Sequence, residues 1–425
     1  MSLLAKLPLR GKRFPGLRCA FRQMLRKLFF PLRREVLAKY SSGGKKMVEA
    51  TKGNLEDRLW KACFSEDIDE IKRIVGNGGN PNAISEIYGT SPFVCAVRYA
   101  KKKPHMIAEL INLGSNVNSR NKLGMTPLME AARWNPLEEV VSILLDSDAG
   151  INSSDDMGNT ALMYATMNSN DSVFSLLIQR GAKVNIANSD GRTPLMFAAI
   201  QDRPRAVALL KTLLEVESLD VNAKDSEGRT ALILNVMRAV DPYVCKRLAS
   251  FDGADLDSVD NHGMNAMLYA SYAAWSSAVQ TLMDAGADVN IPGPSKETPL
   301  MIWSRECKVG MIKALLQAGA LKTADDAGET PMHWALKGGN CSPEIVKILG
   351  GESGVRSSYG KTAFQEALSK NCDLRILKAF LKVSEEPLEV SEEDIQIAID
   401  TEASEETLFW LRDVWLSQHD SNPKP

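Results

Sequence analysis

The stretch GMTPLMEAA at residues 124–132 contains the pattern that decides the fold, and it recurs along the chain. Close copies are GRTPLMFAA at 191–199 and GETPMHWAL at 328–336. The Thr oxygen can accept a hydrogen bond from a free N–H group at a helix start, and Pro is tolerated at the first helical position. The Gly two residues before the Thr favours a turn with positive φ. The pattern therefore predicts a tight turn followed by a short helix.

Residues able to begin a helix in this way recur about every 34 residues. They are Asp57, Ser91, Thr126, Thr160, Thr193, Thr230, Asn265, Thr298, Thr330 and Thr362. After each start the sequence predicts a short helix of small residues and then a second helix rich in Leu, Ile and Val, such as VVSILL at 140–145. The second helix tends to end at a Gly, such as Gly181. A fixed period of this length indicates stacked supersecondary units, each contacting its neighbours. The sequence thus predicts an all-α solenoid.

The combined pattern resembles the ankyrin-repeat family. Thr-Pro-Leu, the helix-ending Gly and a Val-Asn pair such as 117–118 recur together and in order over roughly residues 54–382. The resemblance implies an ankyrin-repeat solenoid of about ten helix-turn-helix repeats, each with a projecting finger loop. Departures exist, because Asn265 replaces a Thr, Lys296 replaces a turn Gly, and the family's Gly-His pair is absent, with 135–136 (Asn-Pro) in one such region. Asn265 can still cap a helix, so we expect the departures to weaken individual repeats and not the fold.

The charge distribution divides the chain into three segments. The whole chain has 51 basic and 53 acidic residues, but residues 1–46 carry a net charge of +12 and the remainder carries −14. We predict a basic N-terminal arm over 1–50, the solenoid over 51–382 and an acidic helical C-terminal cap over 383–425. Ser391 and Ser404 each precede acidic residues and an apolar run, which predicts two capped helices that seal the last repeat. An acidic partner-binding tail is the alternative for this segment.

Three interpretations of the basic arm remain open. Residues 43–46 (GGKK) can be encoded as a bacterial ribosome-binding site, in which case translation starts at Met47 and the arm is not made. The arm can also be real and disordered. In the third interpretation, residues 17–39 form an amphipathic segment, with Arg side chains on one helical face and apolar ones on another, for targeting or membrane attachment.

The sequence gives little support for catalysis. It contains four His, and no two of them are spaced as in a zinc-binding motif. The Gly-rich stretch at 76–82 lacks the Lys-Ser/Thr of a phosphate loop. Seven Cys without a Cys-x-x-Cys pair suit a reducing compartment, and no run of eighteen apolar residues occurs. We expect no enzyme activity, cofactor or metal, and a cytoplasmic location.

Candidate partner-binding residues follow from the resemblance, which implies that finger tips and the exposed ends of first helices line one concave groove. In the second to tenth repeats, groove positions lie four, three and one before the capping residue, and seven and eight after it. Aromatic residues, Arg and Met at these positions are the types enriched at interface cores. The predicted partner-binding residues are Tyr88, Arg98, Tyr99, Leu123, Met125, Arg133, Trp134, Met157, Met167, Arg192, Met237, Arg238 and Tyr272.

Two refinements accompany this prediction. We expect Arg98, Tyr99, Arg133 and Trp134 to lie side by side as the anchor of the site. For Leu123, Met125 and Met157 the alternative is burial against the adjacent finger.

The sequence therefore predicts a non-enzymatic protein–protein interaction scaffold, monomeric, that binds a partner protein in its groove. The alternative is a secreted or membrane-associated effector or adaptor that contacts a membrane surface through residues 1–46. Nucleic acid is disfavoured as a partner, because an acidic solenoid repels phosphate.

Overall fold

The computed structural model describes residues 54–85, 87–168, 170–238, 241–350, 354–383 and 388–419. The basic arm predicted over 1–50, with its possible start at Met47, lies outside the described residues, as does the end of the predicted C-terminal segment. All regular elements of the described residues are helices, and the only β-bridges among them are two isolated ones, Ser154 with Thr160 and Arg356 with Thr362. The predicted all-α class is confirmed.

Contacts divide the chain into two compact units, Met1–Asp220 and Val221–Pro425. In the first unit the described helices form five successive pairs. They are α1 (Leu55–Ser65), α2 (Ile68–Gly76), α3 (Pro92–Tyr99), α4 (Met106–Asn112), α5 (Pro127–Trp134), α6 (Glu138–Asp146), α7 (Ala161–Ala165), α8 (Asp171–Gln179), α9 (Pro194–Ala199) and α10 (Arg203–Leu213). First helices pack on first helices, as α3 does on α1 and α5, and second helices pack on second helices, as α8 does on α6 and α10. Fully buried Leu128, Leu144 and Phe174 belong to the core of this stack.

The second unit repeats this arrangement and ends in two further helices. Its described helices are α11 (Ala231–Arg238), α12 (Pro242–Ala249), α13 (Ala266–Tyr272), α14 (Ser276–Asp284), α15 (Pro299–Arg305), α16 (Val309–Gln317), α17 (Pro331–Gly338), α18 (Pro343–Leu349), α19 (Ala363–Ser369), α20 (Leu374–Val383), α21 (Glu392–Asp400) and α22 (Glu405–His419). Helix α21 packs on α19, and α22 packs on α21. These two helices begin directly after Ser391 and Ser404, the residues that the sequence analysis singled out. The pairs α1–α2 to α19–α20 match the predicted number of repeats.

Most helix starts follow the predicted capping chemistry. The Ser91 side chain accepts a hydrogen bond from the Val94 N–H at 3.2 Å, and the Asn265 side chain accepts one from the Leu268 N–H at 2.9 Å. In the first repeat the prediction that Asp57 begins the first helix was wrong. Helix α1 is capped by Asn54, which accepts from the Asp57 N–H at 2.9 Å, because Asn54 offers the same oxygen acceptor one turn earlier.

The turns before the first helices depend on positive φ. Gly158 has a φ of 76°, and a Cβ there would lie 2.9 Å from the Ser189 nitrogen of the next finger, so both conformation and space require Gly. Lys296, which replaces the turn Gly in the eighth repeat, adopts a φ of 59° despite its side chain. The turn geometry is thus kept where the sequence departs from the pattern.

Candidate functional site

Several of the described finger loops are closed by a polar residue at the base, as in the fourth repeat. The Asp155 carboxylate accepts hydrogen bonds from the N–H groups of Met157 at 2.9 Å and Asn159 at 2.7 Å, and from the Tyr164 hydroxyl at 2.5 Å. Burial and the bond to Asp155 raise the pKa of Tyr164 well above its usual value, so it remains a donor. This network fixes the finger on the first helix of its own repeat.

Neighbouring fingers are joined to one another through their backbones. The Asp156 N–H donates to the Leu123 carbonyl at 3.1 Å, and the Ser189 N–H donates to the Met157 carbonyl at 2.9 Å. Leu123 and Met157 therefore occupy equivalent places at the tips of successive fingers. Their side chains are 54% and 56% exposed, and Ile87, which lies four residues before its cap where Leu123 and Met157 lie three before theirs, is 53% exposed.

The ends of the first helices are held in register by two buried asparagines. The Asn135 side chain donates to the carbonyls of Val97 at 2.8 Å and Ala100 at 3.0 Å. The Asn168 side chain donates to the carbonyl of Ala132 at 2.8 Å and to that of Asn135 at 2.7 Å. The C-terminal ends of α3, α5 and α7 are thereby tied together. Sequence reasoning missed this role, although it noted that Asn135 lies in a region where the family's Gly-His pair is absent.

Large apolar side chains project from these helix ends. Tyr99 is 42% exposed, Trp134 is 43% exposed and Met167 is 40% exposed. The Arg133 guanidinium lies 4.7 Å from the centre of the Trp134 ring and 5.4 Å from that of Tyr164. This contact holds the indole ring in place while leaving much of its surface to solvent.

A group of aromatic rings in mutual contact joins the first and second repeats. Trp60 stacks on Tyr88 with centroids 3.9 Å apart and on Phe64 at 5.6 Å, and Phe64 meets the edge of Tyr99 at 5.4 Å. Phe64 is 45% exposed, and the sequence analysis missed it because groove positions were counted only from the second repeat. Seven residues after Asp57, Phe64 obeys the same spacing rule.

Arg98 differs from its predicted role in the anchor of the partner site. Its guanidinium forms a bidentate ion pair with Glu130, with N–O distances of 2.9 and 2.7 Å. The Glu130 side chain is 1% exposed and also accepts from the Asn121 amide at 3.1 Å. Arg98 therefore links the second and third repeats in the interior, whereas Tyr99, Arg133 and Trp134 lie at the ends of their helices.

Two predicted contact residues are buried, which corrects the expectation that they are accessible. Met125 is 4% exposed, since both of its backbone groups bond to Asn121 and fold the residue under its finger. Met237 is 8% exposed. Helix α11 continues to Arg238, so Met237 lies within the helix and is buried. Helix α7 ends at Ala165, so Met167, at the equivalent position, lies after the helix end and is exposed.

The remaining predicted residues have mixed environments. Arg192 is half-buried in the fifth finger, Arg238 is exposed, and the Tyr272 hydroxyl donates to Glu297 at 3.0 Å in the second unit. Several described finger positions of the second unit pair with one another, such as His262 with Glu227 at 3.6 Å. We use the term apolar patch for the exposed set of the second to fourth repeats: Ile87, Tyr99, Leu123, Trp134, Met157 and Met167.

The described residues contain no cluster of three His, Cys, Asp or Glu side chains placed to hold a metal ion. His333 has structural contacts, with Nδ1 3.0 Å from the Thr330 hydroxyl and Nε2 3.3 Å from the Lys361 carbonyl. None of the helices in the described part of the chain has the length and apolar character needed to cross a bilayer.

Comparison with known proteins identifies relatives over parts of the chain. Zygote-specific protein 3 of Chlamydomonas reinhardtii is 33% identical over 91 residues, which is 21% of this chain and 24% of the relative. A putative ankyrin repeat protein of fowlpox virus is 37% identical over 121 residues, 27% of this chain and 36% of the relative. A glycerophosphocholine phosphodiesterase of Schizosaccharomyces pombe is 33% identical over 135 residues, 31% of this chain and 12% of the relative. The matches span about a third or less of these relatives.

The comparison with protein families covers far more of the chain. The family described as ankyrin repeats (3 copies) matches residues 59–155, 138–225, 205–293 and 271–357. Ankyrin repeats generally mediate protein–protein interactions and are typically non-enzymatic, although the phosphodiesterase shows that they also occur within enzymes. Since these matches extend over more than half of the chain and coincide with the helix pairs, the chain belongs to the ankyrin-repeat family.

Proposed function

We propose that this protein is a non-enzymatic interaction scaffold that binds a partner protein on the apolar patch. The observation that carries the proposal is the regular placement of six large apolar side chains on three consecutive repeats. Each of them is 40% exposed or more, at finger tips or helix ends whose backbones are held by hydrogen bonds. Grouped exposed apolar side chains are typical of protein interaction sites.

Trp134 is proposed as the anchor of this surface. Its ring is large, partly exposed and held by Arg133, so little conformational entropy is lost when a partner covers it. Trp and Tyr are the side chains most enriched among residues that dominate binding energies. Tyr99 and Met167 occupy the corresponding helix ends on either side in the repeat order and extend the surface.

We further propose that the protein acts as a monomer in the cytoplasm and uses neither cofactor nor metal. The cysteine content supports a reducing compartment, and the buried thiols of Cys63 and Cys95 have pKa values raised by burial, which makes them unreactive. The alternative effector function depends on residues 1–46, which lie outside the described residues, so no structural observation favours it.

Trp134→Ala in the full-length chain tests the proposed surface. We expect partner binding to weaken by roughly 2 kcal/mol or more, as for other truncated interface anchors, while the melting temperature changes little. Tyr359→Ala is the matched control, since Tyr359 is a 77% exposed aromatic residue at a finger tip of the second unit. Affinity capture followed by titration with the captured partner measures both variants.

Two results would contradict the proposal. If Trp134→Ala unfolds its repeat, the ring belongs to the core. If it leaves partner binding unchanged while Tyr359→Ala weakens it, the binding surface lies on the second unit.

A further inference from the structure

The loop between α3 and α4 presents three consecutive lysines to solvent. The side chains of Lys101, Lys102 and Lys103 are exposed or nearly so, while their backbone N–H groups all point inward to one carboxylate, that of Glu66. The first two of these bonds are 3.1 and 2.9 Å long. The loop conformation is therefore fixed by its backbone, which leaves the three ammonium groups available.

Glu66 is held in the charged form by this arrangement. Burial acts to raise its pKa, but the three N–H donors outweigh that effect and the pKa is lowered. Its electrostatic interaction with Lys102 contributes in the same direction. The close contacts of the carboxylate are with backbone N–H groups, and among the described residues no ammonium of the loop forms an ion pair with it.

The lysine loop borders the exposed aromatic residues of the first repeats. Glu66 follows the last turn of α1, two residues after Phe64, and Lys101 follows two residues after Tyr99. Phe64 and Tyr99 are in edge contact at 5.4 Å. The three lysines and the helix-end side chains of the apolar patch therefore occupy the same edge of the repeat stack.

Two more cations lie on the patch itself. Lys122 is exposed beside Leu123 at a finger tip, and Arg133 lies against the Trp134 ring. Among the described residues, neither of these cations nor any lysine of the loop takes part in an ion pair.

Two finger and helix-end cations of the second unit form ion pairs. There Lys296 pairs with Asp326 at 3.0 Å, and Lys337 pairs with Glu329. In the first unit Arg98 and Arg120 are also paired, with Glu130 and Asp156, whereas the loop lysines, Lys122 and Arg133 form no ion pair among the described residues.

We infer that the partner segment bound on the apolar patch is acidic, with apolar anchors packing on the helix ends and carboxylates meeting the lysine loop and Arg133. This inference rests on the proposed function. A cluster of exposed cations beside an apolar surface complements a chain in which Asp or Glu alternates with large apolar residues. Leu123 and Met157 favour a polypeptide over nucleic acid, because aliphatic side chains are poor stacking partners for bases.

A random peptide library displayed on phage and selected on the full-length protein tests the inference. We expect enriched peptides to combine Asp or Glu with aromatic or aliphatic residues, compared with the unselected library. An enriched peptide, fluorescently labelled, should bind more weakly as salt increases, because ionic screening weakens exposed charge pairs. Enrichment of neutral or basic peptides, or no enrichment at all, overturns the inference.

Matched variants separate the charges from the apolar surface. The double variant Lys102→Gln/Lys103→Gln keeps the backbone donors to Glu66, so the fold is expected to remain. It should weaken binding of the enriched peptide roughly tenfold. Lys183→Gln/Lys211→Gln removes two exposed lysines from other parts of the same unit and should leave binding unchanged. A melting curve for each variant confirms that the fold is intact.

The outcomes distinguish this inference from the proposed function. If Trp134→Ala abolishes peptide binding but the Lys102/Lys103 variant and salt have no effect, the surface is correct and its acidic preference is wrong. If Trp134→Ala has no effect on either the peptide or the partner, the proposed surface itself is wrong. Tighter binding of a labelled polyuridine than of the acidic peptide would instead assign the site to nucleic acid.

Discussion

At the scale of single residues, the Arg98–Glu130 pair is the strongest case of one side chain deciding local stability. Arg98→Leu leaves the Glu130 carboxylate in the interior, where the Asn121 amide still donates a hydrogen bond to it. Removing one partner of a buried ion pair costs about 3 kcal/mol or more, because the remaining charge stays desolvated. We expect urea unfolding of the first unit to show a loss of this size.

An exposed ion pair provides the control for that prediction. Arg180 pairs with Asp146 at 2.6 Å, also between neighbouring repeats, but the two side chains are 39% and 62% exposed. Arg180→Leu should therefore cost less than about 1 kcal/mol. Equal losses for Arg98→Leu and Arg180→Leu would show that the Glu130 site is as well hydrated as the surface.

His333 gives the second unit a dependence on pH. Burial lowers the pKa of His333 below its ordinary value of 6.5, although the Lys361 carbonyl and two nearby glutamates act in the opposite direction. The unfolded chain therefore takes up this proton at a higher pH than the folded one. The stability that neutral His333 supports is complete above the ordinary value and is lost as pH falls below it.

His333→Met should remove this contribution while preserving the repeat. Met301 occupies the equivalent position of the eighth repeat, where its sulfur lies 3.4 Å from the Thr298 nitrogen. We expect the melting temperature of the wild type to decline between about pH 7 and about pH 5 more than that of the variant. Parallel curves for the two proteins would mean that His333 is not the group responsible.

At the scale of helices and loops, the buried asparagines are expected to matter most. Asn135→Ala leaves the carbonyls of Val97 and Ala100 without the donor that joins α3 to α5, at a residue that is 0% exposed. Unsatisfied buried acceptors of this kind cost about 2 to 3 kcal/mol. Partner binding should weaken as well, since the register of the helix ends that present Tyr99 and Trp134 depends on this bridge.

A second asparagine of the same repeat provides a comparison. Asn118 accepts from the Gly150 N–H at 2.9 Å and donates to the Asp148 carbonyl at 3.1 Å, but these bonds lie at the surface. Water can replace them, so we expect Asn118→Ala to cost about 1 kcal/mol or less and to leave partner binding intact. Chemical denaturation and peptide titration of both variants check the contrast.

The elements also show which parts of the fold are encoded locally. Thr or Asn followed by a helix and preceded by a turn Gly is a short-range pattern, so the helix pairs could be predicted from the sequence. Whether the side chain at a single helix position is buried or exposed could not be predicted, because this depends on where the helix ends. Met167 and Met237 occupy the same position relative to their caps, yet only Met167 is exposed.

Long-range polar contacts were the least predictable part of the candidate site. Arg98 and Glu130 belong to neighbouring repeats, and nothing in the spacing of either repeat shows that the two side chains meet in the interior. Asn135 and Asn168 likewise donate to carbonyls of a neighbouring repeat at the ends of its first helix, a contact that the spacing within one repeat does not show.

At the scale of the whole molecule, the repeat architecture keeps the effects of binding local. Each repeat contacts mainly its neighbours, so the binding free energy gained at one finger stabilises the adjacent repeats and not the whole chain. The apolar patch belongs to the second to fourth repeats, whereas many charged side chains of the second unit already pair within it, such as Lys313 with Glu344 at 2.6 Å. A partner is thus expected to engage one segment of the chain only.

Hydrogen exchange of the full-length protein, with and without its captured partner, measures that localisation. With the partner at about ten times its Kd, opening of the contacted fingers and helix ends should slow about tenfold, because the bound state must be released before the backbone opens. The protected amides should lie near Leu123, Trp134 and Met157, and the fingers of the second unit should exchange as in the free protein. Protection centred on Tyr272 or Tyr359 would place the partner on the second unit. Protection spread evenly over both units would show that binding stabilises the whole array, and would contradict a local site.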